Sequence, residues 1–271
     1  MKDLTIAFIG AGNMARSLIS GLLAAGADAA RLRAADPDAG QRQTLDKLGV
    51  ATFSDNDRAI RGADLVVLAV KPQVLGSVLK PLRLESTQLI VSIAAGVPLA
   101  ALSRWTGKDL AIVRCMPNTP ALLGAGITGM FASPTVTVAQ RDGADAVLAT
   151  AGRTLWVAEE AHLDSVTAVS GSGPAYFFYL MEAMIEAGVG LGLDRESATT
   201  LVLETAYGAA RMAREGAQSP GALRVNVTSP GGTTERALSI LDAAGVRDTL
   251  ERAVSGAAQR ARELAEEFGQ P

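Results

Sequence analysis

A short glycine-containing run near the start of the chain has the residue types that bind the diphosphate of a dinucleotide. Residues 10–15 read GAGNMA and lie between an apolar strand pattern and a helical pattern. The first glycine of such a turn permits the tight bend, and the second lets the main chain approach the diphosphate. The amides at the helix N-terminus then face the phosphates. The alternative is a purely structural glycine turn, which the position between strand and helix disfavours.

Asp36 ends the second predicted strand, where an acidic side chain can bond both hydroxyls of the adenosine ribose. Its charge would also repel the 2′-phosphate of NADP. Arg33 and Arg42 lie nearby in the sequence and can offset that repulsion. The run Asp36-Pro37-Asp38 is equally typical of a simple turn. The choice between NADPH and NADH therefore stays open at this point.

Two further segments follow buried strand patterns and are expected at the ligand edge of a parallel sheet. Residues 70–72 read VKP, and residues 94–96 read AAG. We expect both segments to line the nicotinamide side of the site. Lys71 could bond the nicotinamide ribose, although a plain surface lysine is as good an interpretation.

Residues 229–235 read SPGGTTE and lead into a helical pattern. Main-chain amides and the hydroxyls of Ser229 and Thr234 can converge there on a carboxylate. The alternative is an ordinary helix start in which Thr and Glu form a capping arrangement. Residues 170–174 read SGSGP and predict a second helix start, with Ser172 or Gly173 as cap and Pro174 in the first turn.

Several types of catalytic site are disfavoured by what the chain contains. The single histidine, His162, is expected to be a packing or surface residue, so a Ser-His-Asp or Cys-His hydrolase is hard to build. The single cysteine, Cys115, allows neither an internal disulfide nor a cysteine zinc site, and we predict no metal. No lysine follows Lys108, so the second half of the chain cannot supply a lysine acid or base.

Charge and hydropathy narrow the range of partners and locations. The net charge is −3 with scattered basic residues, which predicts no binding to nucleic acid or to an anionic membrane. The longest apolar stretch, residues 174–193, contains Glu182 and Glu186 and predicts a buried helix rather than a membrane span. We expect a cytoplasmic protein.

These segments must be positioned by an α/β fold. Strands are predicted over residues 4–9, 31–35, 65–70, 89–93, 111–114, 127–132 and 153–157, alternating with helical patterns that include 135–152. This alternation predicts a parallel, doubly wound sheet. After residue 161 the patterns become helical, over 174–191, from the Asp194 cap to 215, after the Ser219 cap, and over 233–244 and 246–268. We therefore predict a Rossmann-type domain over residues 1–160 and an all-helical domain over 161–271.

Taken in order, six segments resemble the pyrroline-5-carboxylate reductase family. They are FIGAGNM at 8–14, AVKP at 69–72, AAG at 94–96, RCMPNTP at 114–120, AVSGSGPAY at 168–176 and VTSPGGTT at 227–234. The resemblance implies reduction of 1-pyrroline-5-carboxylate to L-proline with NADPH or NADH. It also implies that the helical domain forms a homodimer or a ring of dimers. Asp36 departs from the small or basic residue that many members carry there, which favours NADH.

The motifs and the resemblance together give each candidate site residue an expected role. The imine substrate can be protonated before hydride arrives, so no strong protein acid is required. Thr167 and Thr234 are the candidate catalytic hydroxyls near the imine nitrogen, and water is the alternative. The resemblance places Asn56 at the adenosine ribose. The substrate carboxylate set is Ser229, Gly231, Gly232, Thr233 and Thr234. The cofactor set is Gly10, Ala11, Gly12, Asn13, Met14, Asp36, Asn56, Ala69, Val70, Lys71, Pro72, Ala95 and Gly96.

Two other functions fit part of this pattern. A beta-hydroxyacid dehydrogenase shares the two-domain plan, but that family uses a lysine of the helical domain, which this chain lacks. A non-catalytic protein that senses dinucleotides would keep the glycine turn without needing the carboxylate loop. The intact run from Ser229 to Thr234 disfavours it.

Overall fold

The computed structural model describes residues 4–269 and contains one eight-stranded sheet. The strand order is β3-β2-β1-β4-β5-β6-β7-β8. The strands are β1 (Ile6–Ile9), β2 (Leu32–Ala35), β3 (Ala51–Phe53), β4 (Leu65–Leu68), β5 (Leu89–Ser92), β6 (Ala111–Met116), β7 (Gly126–Ala132) and β8 (Gly152–Trp156). Every predicted strand is present, within a few residues. The three-residue edge strand β3 was not predicted, because so short a run has no readable alternation.

The central strands are apolar on both faces because helices cover both faces of the sheet. Ile6 and Phe8 of β1 belong to one buried cluster, whereas Ala7 and Ile9 belong to another. Successive residues of a strand point to opposite faces, so a continuous apolar run is what a doubly covered strand requires. The covering helices are α1 (Asn13–Ala24), α2 (Ala39–Asp46), α3 (Asn56–Ile60), α4 (Pro72–Leu79), α5 (Leu99–Thr106), α6 (Val138–Leu148) and α7 (His162–Val166).

The sheet departs from the predicted all-parallel arrangement at one place, where β7 runs antiparallel to β6. Only residues 117–125 join these strands, and they form a loop with the 3-10 turn Thr119–Leu123. A parallel connection needs a crossover of a dozen or more residues, so the short link forces the chain to double back. α6 then returns the chain, and β8 pairs parallel with β7.

The second part of the chain is helical. Its helices are α8 (Gly173–Gly190), α9 (Arg195–Glu215), α10 (Pro220–Asn226), α11 (Thr233–Ala243) and α12 (Val246–Gly269). Asp194 caps α9 by accepting the Ser197 N–H, and Ser219 caps α10 by accepting the Ala222 N–H, so both predicted caps are confirmed. Among residues 4–269, no helix combines the length and the apolar character needed to cross a membrane.

The chain forms two compact units. The first unit contains the sheet, runs to Ser172 and also includes the chain from Gly256 onward. The second unit is Gly173–Ser255. The domain boundary at residue 160 stays a prediction. α7 packs on β6 and β7, which is why it belongs with the sheet.

The predicted helix start at residues 172–174 is present, because α8 begins at Gly173 with Pro174 in its first turn, but helical residues precede it. Residues Thr167–Gly171 form a π turn that continues directly from α7, and the Ser172 N–H donates to the Thr167 carbonyl at 2.8 Å. The helix therefore runs through this segment with one widened turn. Single π turns within helices often mark functional positions, because they free main-chain carbonyls for other partners.

Candidate active site

The glycine turn between β1 and α1 has the geometry of a diphosphate site. Gly10 has φ +99°, and a Cβ there would lie 2.8 Å from the Ala69 carbonyl oxygen, so only glycine fits. Gly12 is the N-cap of α1 and offers no side chain to its first amides. A Cβ at Gly12 would meet no atom within 4 Å, so the turn faces open space. These exposed amides can therefore hold an anionic group.

The Asp36 carboxylate ties the glycine turn to the end of β2. One of its oxygens accepts the Ala11 N–H at 2.8 Å, and the other accepts the Asp38 N–H at 2.9 Å. Arg42 donates to the carbonyl oxygens of Asp36 and Pro37, at 2.6 and 2.9 Å. Asp36 therefore forms the simple turn at residues 36–38. Its charge also lies beside the glycine turn, as a contact with the adenosine ribose would require.

The remaining predicted ribose contacts lie at the neighbouring strand ends. Asn56 is the first residue of α3, directly after the capping residue Asp55, and it is half-buried. Arg33 donates to the Arg61 carbonyl at 2.6 Å, so its guanidinium is held away from Asp36. Of the two arginines considered as counter-charges, only Arg42 contacts the Asp36 turn.

The two predicted nicotinamide-side segments follow adjacent parallel strands, β4 and β5. Ala69 and Val70 are half-buried, whereas Lys71 is exposed at the N-cap of α4, with Pro72 as the first helical residue. Ala95 and Gly96 are half-buried in the loop before α5. Both segments therefore leave the carboxyl edge of the sheet, as predicted, at neighbouring positions.

An ion pair beside the carboxyl edge of the sheet is not predicted from the sequence. Arg114 of β6 is 7 % exposed and bonds Glu160, whose Oε1 also accepts the Leu99 N–H at 2.7 Å. Burial raises the pKa of Asp164, while the Arg114 guanidinium opposes that rise. Burial likewise raises the pKa of the Cys115 thiol, which argues against a reactive thiolate. An arginine inside an apolar strand was the only available signal for the pair.

Thr167 begins the π turn and is half-buried. Its hydroxyl donates to the Leu163 carbonyl at 2.7 Å, so the oxygen lone pairs are left to accept a hydrogen bond. Asn118 secures the same turn, because its amide group donates to the Ser170 carbonyl at 3.1 Å and accepts the Ile127 N–H at 2.9 Å. The RCMPNTP segment thus supports the π turn, a role not foreseen from its sequence.

The predicted carboxylate loop precedes α11 in the second unit. Gly232 is the N-cap and supplies no side-chain cap, and Gly231 has φ +70°. The Glu235 carboxylate accepts the N–H of Gly231, the residue before the N-cap, at 2.7 Å, whereas the Gly232 N–H donates to the Ser229 carbonyl. Thr234 is half-buried and Ser229 is exposed. The first-turn amides of α11 have no side-chain cap and can donate to an anionic group.

The remaining candidate groups are the single histidine and the side chains that could bind a metal. His162 is exposed at the first residue of α7. Within the part of the chain that the structure describes, no three His, Cys, Asp or Glu side chains come together as a metal site would require.

Comparison with known proteins identifies the family. A family model described as pyrroline-5-carboxylate reductase dimerisation matches residues 160–264, and one described as NADP oxidoreductase coenzyme F420-dependent matches residues 5–96. A pyrroline-5-carboxylate reductase of Pseudomonas aeruginosa is 52% identical over 100% of both chains.

Two solved structures extend this likeness to the fold. A pyrroline-5-carboxylate reductase from Coxiella burnetii superposes with a TM-score of 0.92 at 42% identity, covering 97% of this chain and 98% of that one. The Plasmodium falciparum pyrroline carboxylate reductase with NADP bound has a TM-score of 0.87 at 31% identity, covering 98% and 99%. The likeness spans both compact units, and the chain belongs to the pyrroline-5-carboxylate reductase family.

Proposed function

We propose that the chain reduces 1-pyrroline-5-carboxylate to L-proline, the last step of proline biosynthesis. The observation that carries this function is the 52% identity to a reductase of that name. The match covers 100% of both chains and so extends over the glycine turn and the carboxylate loop. A hydride is added to the imine carbon, and the imine nitrogen keeps the proton that makes it an iminium. Atoms and charge balance with one hydride and one proton for each proline.

The cofactor fits the residues at the glycine turn. Gly12 faces open space, and the first amides of α1 have no side-chain cap, as a diphosphate requires. When bound, NAD(P)H supplies the hydride. We assign the diphosphate to residues 10–14, the adenosine ribose to Asp36 and Asn56, and the nicotinamide side to residues 69–72, Ala95 and Gly96.

The substrate is held by its carboxylate and by its ring nitrogen. We assign the carboxylate to the α11 amides and to the hydroxyls of Ser229 and Thr234, with Gly231 and Gly232 shaping the loop and Thr233 supplying an amide. The Gly231 amide already bonds Glu235, so the later amides provide the donors. A charge-assisted hydrogen bond of this kind contributes about 1.5–3 kcal/mol.

The proposed reaction also needs a hydrogen-bond acceptor near the protonated imine nitrogen, and a hydroxyl oxygen can provide it. Thr167 gives its own proton to the Leu163 carbonyl, so its oxygen can accept a hydrogen bond from a protonated nitrogen. This arrangement holds the iminium proton without a strong acid, which suits a chain with no lysine after Lys108 and a single, exposed histidine. Thr234 is the second hydroxyl assigned to this task.

We propose that the chain binds NADH more tightly than NADPH. The Asp36 charge lies beside the glycine turn and disfavours a 2′-phosphate. Arg42 donates to the carbonyl oxygens of Asp36 and Pro37, and its charge reduces that repulsion without removing it. We therefore expect both cofactors to work, with NADH bound more tightly.

A homodimer formed through the second unit, or a ring of such dimers, completes the proposal. The dimerisation family model matches residues 160–264. α8 exposes large apolar side chains in succession, with Phe178 61 % and Tyr179 75 % exposed. Exposed apolar surface of this extent is typical of a protein interface. A cytoplasmic location, which agrees with a single buried cysteine, stays a prediction.

One steady-state assay tests the function. We expect oxidation of NADH or NADPH, followed at 340 nm, only after 1-pyrroline-5-carboxylate is added, with equimolar proline formed. A ketone or a 3-oxo acid, each of which could accept a hydride, serves as the control and should give no turnover. Folded protein that makes no proline with either cofactor would exclude this function and leave the dinucleotide-sensing alternative.

A further inference from the structure

The loop of residues 94–98 leads into α5, and the start of that helix is capped from a distant part of the chain. Pro98 is the N-cap residue and has no side-chain acceptor for the first-turn amides. The Glu160 carboxylate accepts the Leu99 N–H at 2.7 Å instead. Because a carboxylate at a helix N-terminus also meets the positive end of the helix dipole, Glu160 stabilises this start through its charge as well.

Arg114 confines the Glu160 carboxylate to that position. The guanidinium bonds Glu160 and is almost completely buried within β6, between β5 and β7. A buried charge needs its partner, since an unpaired one is strongly destabilising. The rigid centre of the sheet therefore determines where the carboxylate lies, and the carboxylate determines where the loop before α5 ends.

The last turn of α12 supports the same loop from another side. Gly96 has φ +73°, and a Cβ there would lie 3.2 Å from Leu264 Cβ and 3.7 Å from the Phe268 ring. Arg104 of α5 donates to the Gly269 carbonyl at 2.9 Å. Residues 94–98 are thus held at their middle by α12 and at their end by Glu160, all within the first unit.

We propose that Glu160 and Arg114 are positioning residues that hold residues 94–98 in the conformation that binds the nicotinamide end of NAD(P)H. The inference rests on the proposed function, because it takes Ala95 and Gly96 as nicotinamide contacts. Neither charged residue touches the reacting atoms. Their effect reaches the cofactor only through the main chain between Ala94 and Leu99.

The test combines two readouts that do not depend on turnover. Glu160→Ala removes the acceptor for the Leu99 N–H, and we expect the Kd for NADH and NADPH to rise about tenfold, equivalent to about 1.4 kcal/mol. Amide hydrogen exchange at residues 94–99 should become faster in the cofactor-free protein. The KM for pyrroline-5-carboxylate should change less than about threefold, since the carboxylate loop is untouched. Glu159→Ala, at an exposed neighbouring position, is the matched control and should change neither readout.

A milder variant keeps the test decisive if Glu160→Ala does not fold. Glu160→Gln retains an oxygen for Leu99 but loses the charge facing Arg114, so we expect an increase in Kd of about threefold, in the same direction. If the folded variant melts at a lower temperature yet shows wild-type Kd and exchange, the pair is only structural and the proposal is wrong. If the wild type makes no proline, the proposed function fails, while the Kd and exchange measurements still decide this inference.

Discussion

Among single residues, Asp36 shows how one side chain serves both structure and specificity. Its two oxygens bond the Ala11 and Asp38 amides, so it orders the glycine turn as well as placing a charge there. Replacing it with Ser would remove both effects together. Asn is the better replacement, because it keeps one acceptor oxygen for the turn while removing the charge.

We expect Asp36→Asn to shift cofactor preference towards NADPH. Removing one unit charge near the 2′-phosphate should improve the Kd ratio of NADPH to NADH by about five- to tenfold, since two unit charges about 4 Å apart repel by about 1 kcal/mol in water. Fluorescence titration with each cofactor measures the ratio. Asp38→Asn removes the same charge two residues away and still caps α2, so it is the control. An unchanged ratio in Asp36→Asn would mean that Asp36 does not face the ribose.

The Thr234 hydroxyl carries a second residue-level prediction. Thr234→Val keeps the shape of the side chain, and we expect catalytic efficiency to fall by about one to two orders of magnitude, as loss of a hydrogen bond to a charged group predicts. Affinity for NAD(P)H should hardly change, because the proposed diphosphate site is the glycine turn, away from this loop in the sequence. Ser239→Ala, a hydroxyl loss further along α11, is the control. Full efficiency in Thr234→Val, or loss of cofactor affinity instead, would reduce the loop to a helix cap.

At the scale of elements, the contact of α7 with β7 depends on a missing side chain. A Cβ at Gly129 would lie 2.6 Å from Cγ1 and 2.9 Å from Cγ2 of Val166, a branched side chain with little freedom to move. Gly143 in α6 differs, because a Cβ there would lie 3.5 Å from Leu4 Cδ1 in ordinary contact. The same substitution should therefore have opposite effects at the two positions.

Gly129→Ala should lower the free energy of unfolding by about 1–3 kcal/mol, as overpacking does. Gly143→Ala should raise it by about 0.4–1 kcal/mol, because alanine restricts the unfolded chain and favours helix. Urea unfolding at one fixed protein concentration measures both. Equal effects of the two variants, in sign and size, would contradict the packing of α7 on β7.

The elements themselves were largely predictable, whereas some of their connections were not. The apolar runs of β1, β4 and β5 and the caps at Asp194 and Ser219 carry local signals, so sequence patterns predict them. The antiparallel pairing of β7 depends on the length of residues 117–125, which are too few for a crossover, and the strand patterns themselves carry no sign of it. The π turn at residues 167–171 was missed, because Ser, Gly and Pro are also typical of a loop.

The candidate site has local and non-local parts. The glycine turn at residues 10–12 is predictable because a glycine motif between a strand and a helix is a local signal, and the structure places Gly10 beside the Ala69 carbonyl. The Arg114–Glu160 pair joins residues far apart in the chain, and no local pattern connects them. Contacts of this kind become visible only when the sheet brings the two segments together.

For the whole molecule, the exposed apolar face of the second unit predicts an obligate assembly. Phe178→Glu should convert the dimer into a monomer at micromolar concentration and should lower the melting temperature, because a charge cannot be buried at that interface without a partner. Analytical ultracentrifugation and light scattering measure the mass. Leu155→Glu places the same charge on exposed β8 of the first unit and should leave the dimer intact. A wild type that is monomeric at this concentration would contradict the assembly.

The path of α12 has a consequence for how the protein is made. The first unit needs the chain from Gly256 onward, including the Leu264 and Phe268 contacts with Gly96, although its sheet is complete at Trp156. Synthesis proceeds at about 5–20 residues per second. The last helical segment of the first unit is therefore made on the order of 10 s after the sheet, because the second unit is translated in between. The half-finished unit leaves the loop after β5 uncovered for that time. A ribosome pause within α9 would extend the exposure, and an early stop before Leu264 would leave it permanent.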